Sequence, residues 1–187
     1  MHTPYRKQIN YLIASLWGLA EATFFFFIPD IYLTRIALRN PTLAFQLCFV
    51  TALAACVGGI AMYSWGNVDY QSASLFLTTI PAIYPKLIQT VITNTHTHPF
   101  YSLFIAPMQG IPYKIYAVAI GASHLSLGIF IVVSFVARLL RFILTTGIAV
   151  LIKHLLRKKS QVLPTLHCIT WIIIYLIYFT TLHLQYA

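Results

Sequence analysis

The longest uncharged stretch of this chain leaves few choices of fold. Residues 41–65, PTLAFQLCFVTALAACVGGIAMYSW, contain no Asp, Glu, Lys or Arg. A helix needs about 20 apolar residues to cross the hydrocarbon core of a bilayer, and this run is long enough. The adjacent Gly58 and Gly59 allow another helix to approach closely. We therefore predict a membrane-spanning helix that packs against protein on one face.

The overall composition is also typical of an integral membrane protein. Charged residues make up 8% of the 187 residues and hydrophobic residues 59%, whereas soluble domains carry about 25% charged residues. We expect a single membrane domain over residues 1–187, with no basic soluble domain to bind nucleic acid. The net charge of +9 is then attributed to the positive-inside bias of cytoplasmic segments.

The sequence contains no motif that indicates an enzyme or an ATP-driven pump. The G-x-S-x-G, H-E-x-x-H and P-loop patterns are missing from the sequence, so we expect neither catalysis nor a cofactor. Cys48, Cys56 and Cys168 lie in apolar runs without C-x-x-C spacing. They are interpreted as packing residues, and we predict neither a disulfide framework nor a metal site.

The first apolar segment is interrupted by a proline. Residues 9–28 have spanning length, but they contain Glu21 and the run ends at Pro29. Residues 31–38 continue the apolar pattern briefly before the sequence RNP marks a turn. The pattern predicts a re-entrant hairpin, in which a helix, a break at membrane depth and a short returning helix follow one another.

A second segment of spanning length, residues 99–122, is broken around Gly110 and Pro112. The two breaks read alike, since IPDIY and IPYKIY align Ile-Pro and Ile-Tyr with one gap, although a match this short also arises by chance. Paired interrupted segments in two halves of a chain are a good sequence pointer to a transporter site. We predict an all-α inverted repeat in which each hairpin precedes a membrane-spanning helix, with a C-terminal transmembrane helix at residues 162–184.

The remaining segments complete the expected topology. Residues 125–152 form a long apolar run that should span the membrane and place the basic cluster Lys153–Lys159 in the cytoplasm. Residues 67–98 contain two prolines and a lysine and are too interrupted for a good span. We expect an interfacial helix or a short hairpin arm there.

Ionisable residues in the apolar segments are the strongest pointers to function. They are Glu21, Asp30, Lys114, Arg138 and Arg141. Each costs on the order of 2.5–3.5 kcal/mol at the bilayer centre, so these side chains must face protein or water. One interpretation is that they pair with one another and only close the bundle. The other is a polar site, in which the two arginines on one face of a helix bind a phosphate and the carboxylates bind and release protons.

Four motifs occur in a recognisable order: WGLAEATFFFFIPD, GGIAMYSWG, PMQGIPYKIYAVAIG and SFVARLLRF. Residues 10–145 thereby resemble the DedA family, the bacterial part of the SNARE-associated Golgi protein, or VTT domain, superfamily. The resemblance implies two re-entrant hairpins meeting at mid-membrane. It also implies translocation of polyprenyl phosphate or phospholipid, with proton coupling. Glu21 and Asp30 resemble the family's essential acid pair, Lys114 its basic residue after the second proline, and Tyr63 and Gly66 its Gly-rich motif.

The chain also departs from that family pattern. Gln109 stands where another arginine is expected, and Met62 and Asn67 replace a glycine and a basic residue of the Gly-rich motif. We expect a multi-pass protein of the bacterial inner membrane that moves a phosphate-bearing lipid and is able to form homo-oligomers. The alternative is a structural or assembly protein whose buried charges only stabilise the bundle.

Overall fold

The computed structural model describes residues 4–156 and 161–186. These residues form helices joined by short connections, and no strand occurs among them. The last residues of the basic cluster, Arg157 to Lys159, lie outside the described ranges. The helices are α1 Pro4–Thr23, α2 Asp30–Ala37, α3 Pro41–Val68, α4 Tyr70–Thr78, α5 Pro85–Thr97, α6 Pro99–Gln109, α7 Tyr113–Ala122, α8 Leu127–Leu155 and α9 Leu163–Tyr186.

Three helices are long and apolar enough to cross a membrane, namely α3, α8 and α9. They correspond to the three uninterrupted runs of the sequence, and the all-helical architecture is confirmed for the described residues. Asn40 caps α3 by accepting a hydrogen bond from the backbone N–H of Leu43. Ser126 begins α8 in the same way, with its hydroxyl facing the N–H of Ile129. Both starts therefore follow the usual preference for short polar residues at the N-cap.

The first interrupted segment breaks earlier than its proline. Helix α1 ends at Thr23, and α2 begins at Asp30, directly after Pro29. The helical hydrogen-bond ladder ends because the backbone N–H groups of Phe24 and Phe25 both bond to one carbonyl, that of Ala20. The helix therefore ends five residues before the apolar run does at residue 28.

Helix α2 folds back beside α1. The hydroxyl of Tyr32 donates to Oδ1 of Asn10 at 2.8 Å, and the rings of Trp17 and Tyr32 stack with centroids 5.9 Å apart. Trp17 also donates its indole N–H to the carbonyl of Phe27 at 2.9 Å. The chain thus reverses direction between residues 23 and 30.

The second interrupted segment breaks where its glycine and proline predict. Helix α6 ends at Gln109, and Gly110 adopts a left-handed conformation with φ of 75°. That conformation is easy for glycine and costly for other residues. Pro112 precedes the first residue of α7, where a missing backbone N–H does no harm.

Helix α3 lies at the centre of the bundle and packs closely against α1 and α7. A Cβ atom added to Gly58 would come within 2.8 Å of the Ala22 methyl group on α1. One added to Gly66 would come within 2.3 Å of the Val118 carbonyl oxygen on α7. These glycines are required because the helix backbones approach too closely for any side chain to fit between them.

Residues 67–98 include α4 and α5, which each pack against α7. Their apolar side chains Leu77, Leu87 and Val91 are completely buried and belong to the main core. Pro85 lies at the first turn of α5, where it does not break the helix. Both helices therefore bury one face against the bundle, an arrangement that agrees with an interfacial helix as well as with a short hairpin arm.

Candidate functional site

The charged residues of the apolar segments meet between the two helix breaks. Glu21 lies in the last turn of α1, and Arg138 lies near the middle of α8. Nη1 of Arg138 donates to Oε2 of Glu21 at 2.7 Å, and the side chains are 3% and 6% exposed. At that burial the pair is shielded from water, so neither charge is stabilised by solvent.

A second ion pair lies one helical turn further along α8. Nη2 of Arg141 donates to Oδ2 of Asp30 at 2.7 Å. The hydroxyl of Thr145 donates to the other carboxylate oxygen of Asp30 at 2.8 Å. Asp30 is completely buried, whereas the side chain of Arg141 retains 16% exposure. Both oxygens of this carboxylate are therefore satisfied by α8.

Lys114 connects the two breaks without an acid as its partner. It is the second residue of α7 and 1% exposed. Its ammonium group donates to the backbone carbonyl of Phe25, in the first break, at 3.0 Å. Glu21 and Asp30 are already paired with arginines, and neither lies within salt-bridge distance of Lys114. The group holds three cationic side chains against two carboxylates, a surplus of one positive charge.

A cavity of about 150 Å³ lies between the breaks and is lined on one side by α9. At about 30 Å³ per water molecule, this is room for roughly five waters or a small anionic group. Its polar lining is supplied by Glu21, Lys114, Arg138 and Arg141, and its apolar lining includes Gly110, Pro112, Ile174 and Tyr178. The charged groups and the second break thus share one enclosed space.

The orientation of Arg138 is fixed by an aromatic ring. Its guanidinium carbon lies 3.9 Å above the ring centre of Tyr113, at a distance where the cation and the ring attract each other. The hydroxyl of Tyr113 lies against Gly59, where an added Cβ would be only 2.0 Å away. Among the described residues, Nε of Arg138 has no hydrogen-bond partner. Gly59 therefore makes room for the ring that holds Arg138.

Helix α9 closes the first break from the side. The backbone N–H of Ile28 donates to the hydroxyl of Tyr175 at 2.9 Å. The rings of Phe26 and Phe27 also lie against Tyr175. Irregular backbone in a membrane requires internal partners of this kind, because lipid offers no hydrogen bonds.

The predicted site residues thus fall into two groups. The five charged residues meet at the breaks, together with Gly110 and Pro112, and Pro29 directly precedes Asp30. The glycine-rich set Gly58, Gly59, Tyr63 and Gly66 lies in the packing contacts of α3, away from the cavity lining. Tyr63 there donates its hydroxyl to the carbonyl of Leu125. Sequence reasoning missed Tyr113, Thr145 and Tyr175, for which the only signal is their spacing from a charged or broken position.

The described residues bring together no group of three His, Cys, Asp or Glu side chains that could hold a metal ion. The cation surplus makes an anion the better match for this cavity.

Comparison with known proteins adds relatives but no activity. An uncharacterized protein of Haemophilus influenzae is 28% identical over 137 residues, which is 72% of this chain and 69% of that protein. A Histophilus somni protein named "Uncharacterized protein HI0703 homolog" is 24% identical over 144 residues, covering 75% of this chain and 74% of that protein. No family model matches the chain. No solved structure matches it either.

Proposed function

We infer that this protein moves a phosphate-bearing lipid across the plasma membrane, with its head group passing through the cavity between two re-entrant hairpins. The observation that carries the proposal is the surplus cation. Lys114 is buried and, among the described residues, its side-chain nitrogen bonds only to a carbonyl, in a cavity that two arginines also line. A buried positive charge without a counter-charge is costly unless an anion sometimes occupies the site.

The chemistry of the lining suits a phosphate. Nε of Arg138 is buried and has no hydrogen-bond partner within the described residues, so one donor of the guanidinium is left unsatisfied. Guanidinium groups bind phosphate oxygens through two parallel hydrogen bonds. Tyr113 keeps the fork in place through its ring, so the site is preorganised.

The depth of the site supports passage across a membrane. Arg138 lies 11 residues from the start of α8, which is about 16 Å along the helix axis at 1.5 Å per residue. That is close to half of a hydrocarbon core of about 30 Å. Each break is a loop at this depth, in the manner of transporters that bind their substrates at discontinuous helices.

The ion pairs suggest how proton binding would be coupled to the lipid. Glu21 occupies one side of the Arg138 guanidinium. When Glu21 takes up a proton, its hold on Arg138 weakens, and the guanidinium becomes available to the phosphate. When the lipid leaves, the pair forms again and the proton is released. The same exchange applies to Asp30 and Arg141.

A structural or assembly role is the second candidate, and one observation favours it. Both arginines are already paired with carboxylates at 2.7 Å. If those pairs are permanent, they close the bundle and the cavity is only a packing defect. The two candidates differ in what happens when the geometry of the cation is altered but its charge is kept.

The test is translocation of a fluorescent phosphate-bearing lipid by the purified protein in liposomes. Arg138→Lys keeps the charge but loses the planar fork. We expect it to lower the translocation rate at least tenfold while the protein accumulates and inserts normally. Glu21→Gln and Asp30→Asn should also abolish translocation. Asp69→Asn is the matched control, because Asp69 is exposed and only caps α4, a role that Asn fills equally well.

One outcome would decide against phosphate recognition by Arg138, and another against transport itself. If Arg138→Lys translocates lipid at the wild-type rate, the planar fork of Arg138 does not bind the phosphate. If the wild-type protein moves no phosphate-bearing lipid and the charge variants lose only abundance, the structural role is correct.

A further inference from the structure

A second cavity lies where the C-terminal ends of α2 and α8 meet. Its volume is about 470 Å³, within the usual range of ligand pockets. Four basic side chains line it: Arg35 and Arg39 from the end of α2 and the turn after it, and Lys153 and His154 from the last turn of α8. The basic groups therefore come from two separate parts of the chain and converge on one space.

No acidic side chain balances these basic groups. The chain has three acidic residues. Glu21 and Asp30 are paired with arginines of the central cavity, and Asp69 caps α4. Within residues 4–156 and 161–186, Lys153 donates only to the carbonyl of Arg39, at 3.5 Å. Basic residues near helix C-termini also stabilise the helix dipole, but that role needs neither a cavity nor convergence from two elements.

An apolar groove continues from this cavity. It lies between α2, α8 and α9, has a volume of about 290 Å³, and has an almost entirely apolar lining that includes Ile148, Ile152 and Leu166. Leu38 and Leu163 line both the basic cavity and the groove. The groove in turn shares Ile174 with the central charged cavity. The basic cavity, the apolar groove and the central charged cavity therefore adjoin one another in that order.

We propose that the basic cavity binds the phosphate of a membrane lipid whose hydrocarbon chain lies in the groove between α8 and α9. The chemistry of a lipid matches both parts, because a phosphate satisfies the basic groups and a hydrocarbon chain satisfies the groove. Basic pockets between membrane helices are established binding places for anionic head groups. Lipid binding in the basic cavity does not depend on transport. That the bound lipid then moves to the central cavity rests on the proposed function.

The basic cavity and the central cavity cannot share one phosphate. Lys153 and Arg138 are 15 residues apart on α8, which is about 22 Å along its axis. With Arg138 at mid-membrane, Lys153 reaches the interface, where lipid head groups lie. The basic cavity therefore holds a lipid in its resting position, before its head group enters the bundle.

Trp171 provides an intrinsic reporter of the groove. It lines the groove and is half-buried. The experiment measures quenching of tryptophan fluorescence in phosphatidylcholine nanodiscs that contain phosphatidic acid brominated in its acyl chains. The part of the quenching that disappears in Trp171→Phe reports on the groove. Brominated phosphatidylcholine and free inorganic phosphate are the comparison ligands.

We expect brominated phosphatidic acid to quench Trp171 at lower concentration than brominated phosphatidylcholine does. The double variant Arg35→Gln, Lys153→Gln should weaken the apparent affinity for phosphatidic acid about tenfold or more, since it removes two charged hydrogen-bond donors. The control variant Lys7→Gln, Lys86→Gln removes the same charge from exposed positions elsewhere. It should leave the affinity unchanged.

A charge-preserving variant distinguishes loss of lipid binding from loss of folding. Arg35→Lys, Lys153→Arg keeps both charges and should retain the preference for phosphatidic acid. Equal quenching by the two brominated lipids would overturn the proposal, and so would displacement by inorganic phosphate at the concentration of the lipid, which indicates a site for a soluble anion. Selective quenching without lipid translocation would keep this site and remove the proposed function. Translocation without selective quenching would keep the proposed function and remove this lipid site.

Discussion

Neutralising Glu21 leaves the guanidinium of Arg138 without its partner at the centre of the bundle. Both side chains are at most 6% exposed, so water cannot replace the missing charge. Breaking a buried ion pair from one side typically costs about 3–5 kcal/mol. For a protein of this size, 1 kcal/mol corresponds to about 2–4 °C in melting temperature. We therefore expect Glu21→Gln, and separately Arg138→Met, to lower the melting temperature by about 6–20 °C.

Removing both charges together should cost much less than either single change. The double variant Glu21→Leu, Arg138→Met leaves no unpaired charge from this pair, and apolar replacements of a buried pair are often neutral or stabilising. The net charge of the cavity also stays the same, because one cation and one anion are lost. We expect the double variant to melt within about 5 °C of the wild-type protein and yet to move no lipid.

Thermal unfolding can be followed in detergent with a dye that fluoresces on reaction with thiols. Cys48 and Cys56 are buried and become reactive only on unfolding, whereas Cys168 is exposed and is replaced by serine in all samples. Single variants that melt within about 2 °C of the wild type would show that the buried pair contributes no more than about 1 kcal/mol, well below the expected cost. A double variant whose melting temperature falls by the sum of the two single decreases would also contradict the prediction. Additive decreases would mean that Glu21 and Arg138 do not stabilise each other.

Two further changes test the packing and the topology. Gly66→Ala places a methyl group 2.3 Å from the Val118 carbonyl oxygen and should destabilise the fold by about 1–3 kcal/mol. The control Gly147→Ala meets no atom within 4 Å and should be neutral or stabilising by up to about 1 kcal/mol. Equal melting temperatures for the two variants would contradict the close approach of α3 and α7. If the predicted orientation is correct, Gln161→Cys in a Cys168→Ser background should react with an impermeant thiol reagent only after the cytoplasmic side is opened. Labelling of intact cells from outside would contradict the predicted orientation.

The sequence predicts the three long helices well, because a long and mainly apolar run is sufficient to indicate a membrane-spanning helix. Helix α3 was expected at residues 41–65 and is observed at Pro41–Val68, and α8 and α9 begin and end within three residues of expectation. The meeting of the charged residues was also predictable, since the cost of a buried charge forces such groups together. Which carboxylate pairs with which arginine was not, because the partners are 117 and 111 residues apart.

The position of the first break could not be read from the sequence. The nearest helix-breaking residue is Pro29, yet α1 ends at Thr23. The intervening backbone is held by Trp17, Lys114 and Tyr175, which belong to three different helices. Local propensity contains no information about such partners, so the run of phenylalanines reads as helix. Tertiary contacts override it.

That first break has a consequence for the order of synthesis. Glu21 leaves the ribosome 117 residues before Arg138. At about 5–20 residues per second, Arg138 is synthesised roughly 6–23 seconds after Glu21. Tyr175, which accepts the N–H of Ile28, is made later still. We therefore expect α1 and α2 to stay at the hydrated membrane surface while α3 inserts, and to settle into the bundle only after the last helix is complete.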